Sequence, residues 1–340
     1  EDFQRAEFQL QHGFLDTLVP RDQMRDTLAR LIRFHTGGHG ESVPDTPGTP
    51  GMLTDTVADS AADGAETLLD ERTAERRSGS DCLELIRHKD RPGIMEYLPL
   101  VFDDSFELHG DRAFGDDRAI WGGLALLDGH PVTVIATRKG HNLQQNQQCN
   151  FGMPHPEGYR KARRLMRQAA KFRRPVICFV DTPGAYCGIG AEERGQGQVI
   201  ARSIADMLGL ETPTITIITG EGGSGGALAL SAADRLAMLS NAIYSVISPR
   251  GFASLVYKDP SRELEAADKS RITAFDLKAF GICDQIIAEP GTGAHDHPAE
   301  TAAAIRLYLL RELAALSKLP VEELLQARLA RYRSIGSFRE

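Results

Sequence analysis

The sequence predicts an α/β protein, because short apolar runs typical of buried strands alternate with stretches of helical period. The strand-like runs lie at residues 119–127, 132–137, 175–180, 214–219 and 243–247. The helical stretches lie at residues 157–172, 192–208 and 227–232. Strands that alternate with helices are typical of crossover connections around a largely buried sheet. A last segment, residues 298–331, is strongly helical and ends with basic residues.

The composition agrees with a globular protein of this class. Of 340 residues, 41% are hydrophobic and 25% are charged, which excludes a wholly disordered chain. The net charge of -8 argues against a nucleic-acid partner. No apolar run reaches the roughly 18 residues of a membrane helix, and the polar opening EDFQRAEF is not a signal peptide. The five cysteines form no CxxC pair, so no zinc ribbon or redox motif is visible, and their odd number and wide spacing fit a reducing compartment. We therefore expect a cytoplasmic protein without a membrane partner.

Three segments follow from the local composition. Residues 1–35 are rich in apolar side chains, with a helix predicted at 22–34 because Met24, Leu28, Leu31 and Ile32 recur at helical spacing. Residues 36–80 begin with a run of Gly, Pro, Ser and Thr and are expected to be a flexible linker, with one frayed helix near 61–77. Residues 81–340 read as one α/β domain. The chain opens without methionine, and we expect it to be a piece of a longer polypeptide.

Two of the predicted strands end in glycine-rich turns that open helices. The first turn carries Gly184, Gly188 and Gly190, and the second carries Gly220, Gly222, Gly223, Gly225 and Gly226. Glycine permits close approach of a ligand, and the first N–H groups of a helix have no internal partner. Such a turn therefore suits a phosphate or an oxyanion that develops during a reaction. The alternative is that each turn only permits tight packing between strand and helix.

The second turn also matches the GxSxG pattern of a nucleophile elbow, with Ser224 as the nucleophile. Asp268 or Asp284, followed by His295, are the candidate partners of a hydrolase triad. A central serine in so glycine-rich a run also matches by chance. A Walker phosphate loop is excluded, because no Lys-Ser/Thr pair follows the glycines.

Longer motifs carry a family resemblance. They are KG at 139–140, NFGMPHPEGYRKA at 150–162, FVDTPGAYCGIGAEERGQ at 179–196, GEGGSGGALAL at 220–230, YSVISPRGFASL at 244–255 and TAFDLKAFGICDQIIAEPGTGAH at 273–295. Together they resemble the α subunit of bacterial acetyl-CoA carboxylase carboxyltransferase, over residues 81–338. The opening segment, residues 3–31, resembles the C-terminal end of the β subunit of the same enzyme. The chain thus resembles part of a fused β–α polypeptide.

The resemblance implies a crotonase-like fold, a superhelix of repeated ββα turns. It also implies that a carboxyl group passes from carboxybiotin, held on a separate biotin carboxyl carrier protein, to acetyl-CoA, which gives malonyl-CoA. Negative charge would develop on the ureido oxygen of biotin and on the thioester oxygen, and both need preorganised N–H donors. In the family the α unit supplies the donors for the biotin oxygen, and a β-type unit supplies those for the thioester oxygen. The implied assembly is α2β2 or a dimer of fused chains, in fatty acid biosynthesis.

The same resemblance locates the site in this sequence. It implies a backbone oxyanion hole formed by Gly225, Gly226 and Gly223. The residues expected to line the substrate pocket are Gly184, Tyr186, Gly188, Gly190 and Gly152. No metal is expected in this chain, because the implied chemistry uses backbone donors.

The sequence departs from the family pattern at several places. The basic stretch between KG and NFGMP is replaced by HNLQQNQQC at 141–149, Cys187 stands for a proline, and Arg250 and Phe252 stand for glutamate and cysteine. These changes have two interpretations, a different acyl-CoA acceptor or neutral drift of the sequence. A catalytically silent scaffold is a third interpretation. The arginine-rich stretch 160–174 either neutralises CoA phosphates or forms the solvated face of a helix.

Overall fold

The computed structural model describes residues 5–36 and 59–336 and confirms an α/β fold. Its strands are β1 (Asp104–Glu107), β2 (Ile120–Leu127), β3 (His130–Thr137), β4 (Val176–Thr182), β5 (Thr214–Gly223), β6 (Arg235–Leu239), β7 (Ile243–Ser245) and β8 (Gln285–Ile287). Within the described ranges these strands form one sheet in the order β1-β2-β3-β4-β5-β6-β8, and β7 pairs with the far end of β5.

The helices account for most of the remaining described chain. They are α1 (Ala6–Gln11), α2 (Met24–Thr36), α3 (Asp59–Leu69), α4 (Gly79–Ile86), α5 (Ile94–Val101), α6 (Leu143–Gln148), α7 (Pro156–Lys171), α8 (Ile189–Glu193), α9 (Gln196–Leu208), α10 (Ser224–Leu228), α11 (Pro249–Val256), α12 (Glu263–Lys269), α13 (Ala274–Ala279), α14 (Pro298–Leu316) and α15 (Val321–Arg333). Helix α7 packs on strands β2 and β3, while α14 packs on α3 and α5.

The sheet is antiparallel at one edge and parallel elsewhere. Strands β1, β2 and β3 pair antiparallel, and the pairs from β3 to β8 are parallel. The central strands β2 and β5 are buried along their whole length, as expected for strands covered on both faces. Strand β5 is long because its first part pairs with β4 and β6, while Glu221–Gly223 extends beyond β6 and pairs with β7.

Several element boundaries differ from the sequence prediction. The helix expected at 192–208 is interrupted by Gly195, which has a φ of +82°, and the segment 298–331 is two helices separated before Pro320. The helix expected at 227–232 begins earlier, at Ser224. Strands β1, β6 and β8 were not predicted, because each is only three to five residues long.

The second half of the expected linker is folded. Helix α3 packs against α14, Ala65 is buried, and the Leu68 carbonyl accepts a hydrogen bond of 2.8 Å from Ala288 N. Ser78 then caps α4 in a capping box. The apolar positions Ala65, Leu68 and Leu69 have the spacing of one helix face, which the glycine- and proline-rich composition upstream obscured. Residues 37–58 of the expected linker lie outside the described residues.

The N-terminal tail (residues 5–36) is folded, as expected, and lies against the edge of the sheet. Phe34 of α2 is fully buried. Of the predicted apolar stripe of the same helix, Met24, Leu28 and Ile32 face solvent, whereas Leu31 packs against the core. Helix α2 therefore contacts the rest of the chain through Leu31, its C-terminal end and its arginines.

A buried arginine attaches the last helix to the sheet. The Arg328 guanidinium donates two hydrogen bonds of 2.7 Å to the Asp234 carboxylate. It also donates to the carbonyls of Met207, Leu210 and Thr212, which follow or end α9. Both charged side chains are almost completely buried, so this contact joins α15 to α9 and to the start of β6.

Candidate active site

The two glycine turns lie side by side at the carboxyl ends of neighbouring parallel strands. Strand β4 ends at Thr182 and leads into the first turn, while β5 ends at Gly223 and leads into the second. Thr182 is in register with Gly222, after a β-bulge that shifts the pairing. The carboxyl ends of the strands of a parallel sheet are the usual place for a ligand site in α/β proteins.

Two of the predicted site glycines are required where the turns touch each other. A β-carbon on Gly223 would lie 2.1 Å from the Pro183 carbonyl oxygen. One on Gly226 would lie 2.3 Å from Ala185 N. By contrast, a β-carbon on Gly225 would meet only Ile200 Cγ2, at 3.4 Å. Part of the glycine requirement is therefore packing between the turns.

The start of α10 carries unpaired backbone donors. Among the described residues we find no acceptor for the N–H groups of Gly225 and Gly226, which lie in the first turn of the helix. The Gly226 carbonyl is held by the buried hydroxyl of Tyr159, which donates to it at 3.1 Å. The helix start is thus fixed on one side while its N–H groups stay available to a negatively charged atom.

The other predicted lining residues gather around the first turn. Tyr186 N donates to the Pro154 carbonyl at 3.0 Å, which ties this turn to the loop containing Gly152. A β-carbon on Gly188 would lie 2.4 Å from the Tyr186 ring. Gly184 and Gly152 have positive φ angles, of +143° and +74°. The outlying member is Gly190, which lies within α8 beside Arg194.

Three charged residues at the same edge were not among the predicted site residues. Lys139, just after β3, forms a 2.5 Å ion pair with Asp181 at the end of β4. The same Asp181 carboxylate accepts a 2.9 Å hydrogen bond from Glu221 N in β5. Asp181 therefore links the ends of three strands. The available sequence signal was that each residue follows a buried apolar run, in motifs already quoted for the resemblance.

Glu221 is a carboxyl group in an unfavourable setting. Its side chain is buried at the end of β5. Burial raises the pKa of the Glu221 carboxyl above its ordinary value, the Lys139 ammonium opposes this, and the Asp181 carboxylate adds to it. A raised pKa beside a cleft is typical of functional sites, although structural ion pairs also produce one.

The hydrolase alternative lacks its triad. Ser224 is exposed with a φ of +53°, as in a nucleophile elbow, but no described histidine or carboxylate hydrogen-bonds its hydroxyl. His295 stacks on His88 with 4.1 Å between ring centroids. Asp268 accepts from Ser80 N, and Asp284 pairs with Arg331, so neither carboxylate orients a base for Ser224.

The arginine-rich helix is mostly occupied by internal ion pairs. In α7, Arg160 pairs with Asp111 and Glu157, Lys161 pairs with Asp116, and Arg163 pairs with Asp206. The exposed Arg167 also reaches Asp206. Groups engaged in this way are not free to neutralise CoA phosphates. The interpretation of this stretch as a helix face is favoured, but the face is ion-paired and not simply solvated. Asp111, Asp116 and Asp206 come from neighbouring elements, and Glu157 lies in α7 itself.

The positions that depart from the family pattern lie on the surface. Cys187 and Arg250 are exposed, and Phe252 packs edge-on against Tyr257. Within the stretch 141–149, residues 143–148 form the largely exposed helix α6, whereas Cys149 is buried. Within residues 5–36 and 59–336, no group of three His, Cys, Asp or Glu side chains is placed to bind a metal ion. No helix in these ranges is long and apolar enough to cross a membrane.

Comparisons with known proteins identify the family. Residues 63–336 match the family described as acetyl co-enzyme A carboxylase carboxyltransferase-like. Over its whole length the chain is 46% identical to the acetyl-coenzyme A carboxylase carboxyl transferase subunits beta/alpha of Natranaerobius thermophilus, and it spans 56% of that relative. It is 55% identical, over 253 residues, to the carboxyl transferase subunit alpha of Clostridium perfringens, covering 74% of this chain and 93% of that relative.

Solved structures agree on the fold. The transcarboxylase 12S hexamer matches with a TM-score of 0.54 and 17% identity, over 79% of this chain and 48% of that one. A single-chain, multi-domain long-chain acyl-CoA carboxylase matches with a TM-score of 0.60 and 15% identity, over 90% of this chain and 27% of that one. These likenesses confirm the expected crotonase-like fold. The chain belongs to the acetyl co-enzyme A carboxylase carboxyltransferase-like family.

Proposed function

We propose that this chain carries the α-type part of a biotin-dependent acetyl-CoA carboxylase carboxyltransferase. In this proposal a carboxyl group moves from carboxybiotin, on a biotin carboxyl carrier protein, to acetyl-CoA and yields malonyl-CoA. The supporting observation is the pair of packed glycine turns, with unpaired N–H groups at Gly225 and Gly226. The names of the relatives at 46% and 55% identity support the same activity.

The proposed roles of the residues follow from the geometry of the turns. Gly225 and Gly226 donate their N–H groups to the oxygen on which negative charge develops, and Gly223 lets the first turn approach them. Each such donor contributes about 3 kcal/mol to the transition state. Carboxybiotin supplies the carboxyl group and a nitrogen that accepts a proton from the acetyl methyl group.

The pocket beside this hole is proposed to be lined by the first turn and by the loop before α7. Its residues are Gly184, Tyr186, Gly188, Gly190 and Gly152. Tyr186 is fixed by its N–H bond to Pro154 and by Gln196, which donates to the Tyr186 carbonyl at 3.0 Å. A fixed ring next to the turn would orient a substrate and exclude water from the reacting atoms.

A β-type unit is the proposed partner that completes the site. Two large apolar side chains beside the glycine turns are almost fully exposed, Ile189 at 82% and Val246 at 88%. Exposed apolar side chains around a cleft are typical of a protein interaction surface. We place the thioester-binding half of the site on that unit, in an α2β2 assembly or a dimer of fused chains located in the cytoplasm.

The proposal is tested by the reverse reaction, with malonyl-CoA as donor and free biotin as acceptor. The chain, assembled with a β-type unit, should form acetyl-CoA and carboxylate free biotin. The departures at Cys187, Arg250 and Phe252 favour testing a second acceptor, so propionyl-CoA and acetyl-CoA should be compared as substrates of the forward reaction. An assembly that transfers no carboxyl group between biotin and any short acyl-CoA would contradict the proposed function.

A further inference from the structure

The N-terminal tail contacts a loop that we name the docking loop (residues 109–115). Arg112 N and Arg112 Nη1 both donate to the Gly13 carbonyl, at 3.1 and 2.8 Å. His109 N donates to the Asp16 carbonyl at 3.1 Å. The docking loop therefore binds the backbone of a short Gly-x-x-Asp turn in the tail.

This contact has no room for a side chain on either surface. Gly13 has a φ of +75°, and a β-carbon on it would lie 2.4 Å from the Gly115 carbonyl oxygen. Gly110 has a φ of +81°, and a β-carbon on it would lie 2.2 Å from the Gly13 carbonyl oxygen. Glycine is needed at both positions for the backbone angle and also for the closeness of the two chains.

The carboxylate of the tail turn meets two guanidinium groups. Arg112 Nη2 lies 2.5 Å from Asp16 Oδ2. Arg164 Nη1, from α7, lies 3.0 Å from Asp16 Oδ1 as an ion pair without hydrogen-bond geometry. All three side chains are only partly exposed, so the charges attract more strongly than a surface pair would.

The docking loop is held in shape by the domain to which it belongs. The Asp111 carboxylate accepts hydrogen bonds from the N–H groups of Ala113, Phe114 and Gly115. Arg160 of α7 donates to the same carboxylate at 2.7 Å. Arg164 donates to the carbonyls of His109 and Gly110 and so holds the backbone at the start of the loop. The loop thus keeps its shape without help from the tail.

A second contact holds the other end of the tail. Arg30 and Arg33 both reach the Asp104 carboxylate of the edge strand β1, each at 2.5 Å. At the end of α2, the His35 ring lies 2.8 Å from the Arg174 guanidinium, next to the buried Phe34. The tail is therefore attached at two places, at residues 13–16 and at residues 30–35.

We infer that the docking loop is the recognition site by which the α-type unit holds a β-type carboxyltransferase unit, through the Gly-x-x-Asp turn at Gly13–Asp16. This inference rests on the proposed function and on the resemblance of residues 3–31 to the C-terminal end of a β subunit. It also fits the relatives, because the 253-residue match to a separate subunit alpha covers 74% of this chain, whereas the beta/alpha relative matches all of it. The covalent connection through residues 37–58 is then dispensable for holding the two units together.

The test introduces a specific protease site between residues 37 and 58 of the full chain. After cleavage, the N-terminal fragment should stay bound to the remainder in size-exclusion chromatography at micromolar concentration. Asp16→Arg should raise the dissociation constant of the fragment at least about tenfold, because it removes a charge-assisted contact and places a third positive charge beside two guanidinium groups. Asp22→Arg is the matched control, because Asp22 is exposed on the same tail and contacts none of these groups.

Gly110→Ala tests the other surface and should release the fragment, while the melting temperature of the cleaved remainder stays within a few degrees of the parent. Asp16→Arg changes only the tail, so it remains informative if Gly110→Ala fails to fold. Loss of the fragment from the cleaved parent chain, or equal retention by Asp16→Arg and Asp22→Arg, would overturn the inference. Neither result bears on the carboxyl transfer assay of an intact assembly, which tests the proposed function separately.

Discussion

Gly225 and Gly226 are neighbours in sequence but differ in what surrounds them. The backbone of the first turn lies within 2.3 Å of where a β-carbon on Gly226 would stand, whereas Gly225 faces open space bounded by Ile200. Glycine is thus a packing requirement at Gly226, while at Gly225 only its N–H group matters for the proposed site.

Gly226→Ala should therefore destabilise the chain, and Gly225→Ala should not. Overpacking of this kind typically costs about 1–3 kcal/mol, whereas alanine is favoured over glycine in a helix by about 1 kcal/mol. Thermal unfolding of the two variants checks this without any partner. Equal melting temperatures for the two alanine variants would contradict the packing argument.

In an assembly with a β-type unit, Gly226→Val should lower kcat at least about a hundredfold, as expected when a donor is displaced.

Ser224 distinguishes the proposed function from the hydrolase alternative. Its hydroxyl is exposed and has no base beside it among the described residues, so Ser224→Ala should leave the carboxyl transfer rate within about threefold, by the usual small effect of exposed substitutions. A fluorophosphonate probe should not label the parent protein. Stoichiometric labelling at Ser224, identified by mass spectrometry, would reverse the ranking of the two functions.

Glu221 gives a pH dependence whose sign is fixed by its raised pKa. Because the pKa of the Glu221 carboxyl is higher in the folded state, this carboxyl lowers the stability of the folded state as pH rises. The loss begins near the pKa of the unfolded state, about 4.5, and is complete above the pKa of the folded state. Glu221→Gln should therefore raise the free energy of unfolding at pH 7.5, and the gain should shrink towards pH 4.5. Urea unfolding at both pH values measures this, with the exposed Glu211→Gln as control. A gain that grows on acidification would contradict the assignment.

At the residue scale, the glycines of the candidate site were proposed from the sequence, whereas the charged residues beside them were not. The glycines were visible because they cluster after apolar runs. Lys139, Asp181 and Glu221 were not singled out, because their contacts join residues about forty positions apart, which only the pairing of β3, β4 and β5 brings together. The left-handed φ of Ser224 was equally invisible, since serine rarely adopts it.

At the element scale, α15 depends on one buried ion pair. Removing Arg328 would leave the buried Asp234 carboxylate, which also accepts from Thr214, without its counter-charge. Arg328→Met should therefore lower the free energy of unfolding by about 3–5 kcal/mol. Arg333→Met, on the exposed surface of the same helix, is the matched control and should change stability by less than about 0.5 kcal/mol.

Chemical unfolding of the two variants measures the difference, and hydrogen exchange locates it. Exchange should accelerate first in α15 and in the end of α9, which Arg328 joins. If Arg328→Met and Arg333→Met unfolded at the same denaturant concentration, α15 would be held by its apolar contacts and not by the ion pair.

The order of strands and helices was predictable at this scale, but several ends were not. Long apolar runs such as those of β2 and β4 stand out in the sequence, whereas β8 is three residues long and is recognisable only by its partner β6. Helix α3 was expected only as a frayed helix near 61–77, because the residues before it are rich in glycine and proline. Its apolar face is short, and burial against α14 decides its structure.

At the scale of the whole molecule, the chain presents half of a proposed site and an exposed apolar rim. We expect the 340-residue chain alone to show no carboxyl transfer, because the proposed function places the second oxyanion site on the β-type unit. Addition of that unit should restore transfer with a saturable dependence on its concentration. Replacing Ile189 with glutamate should weaken this dependence, since it would place a charge within the apolar contact. Turnover of malonyl-CoA by the chain alone would contradict the expectation.

The family and the fold were recognisable at this scale from motifs spread along most of the chain. The position of the tail was not, because Gly13 and Asp16 have no visible relation to residues 109–115 until the chain is folded. The solvent-facing stripe of Met24, Leu28 and Ile32 was also unexpected, since helical spacing reveals an apolar face without showing whether anything covers it.

The facing pair of glycines has a further consequence, for the fidelity of assembly. A tail displaced by one residue would bring His12 or Phe14 to the place of Gly13, where even a β-carbon would lie 2.4 Å from a carbonyl oxygen. Misaligned pairings are thus rejected by repulsion between atoms before any apolar contact can stabilise them. The contact between the tail and the docking loop therefore permits one alignment and excludes those shifted by one residue. Units should join in the correct alignment or remain apart, without long-lived misassembled forms.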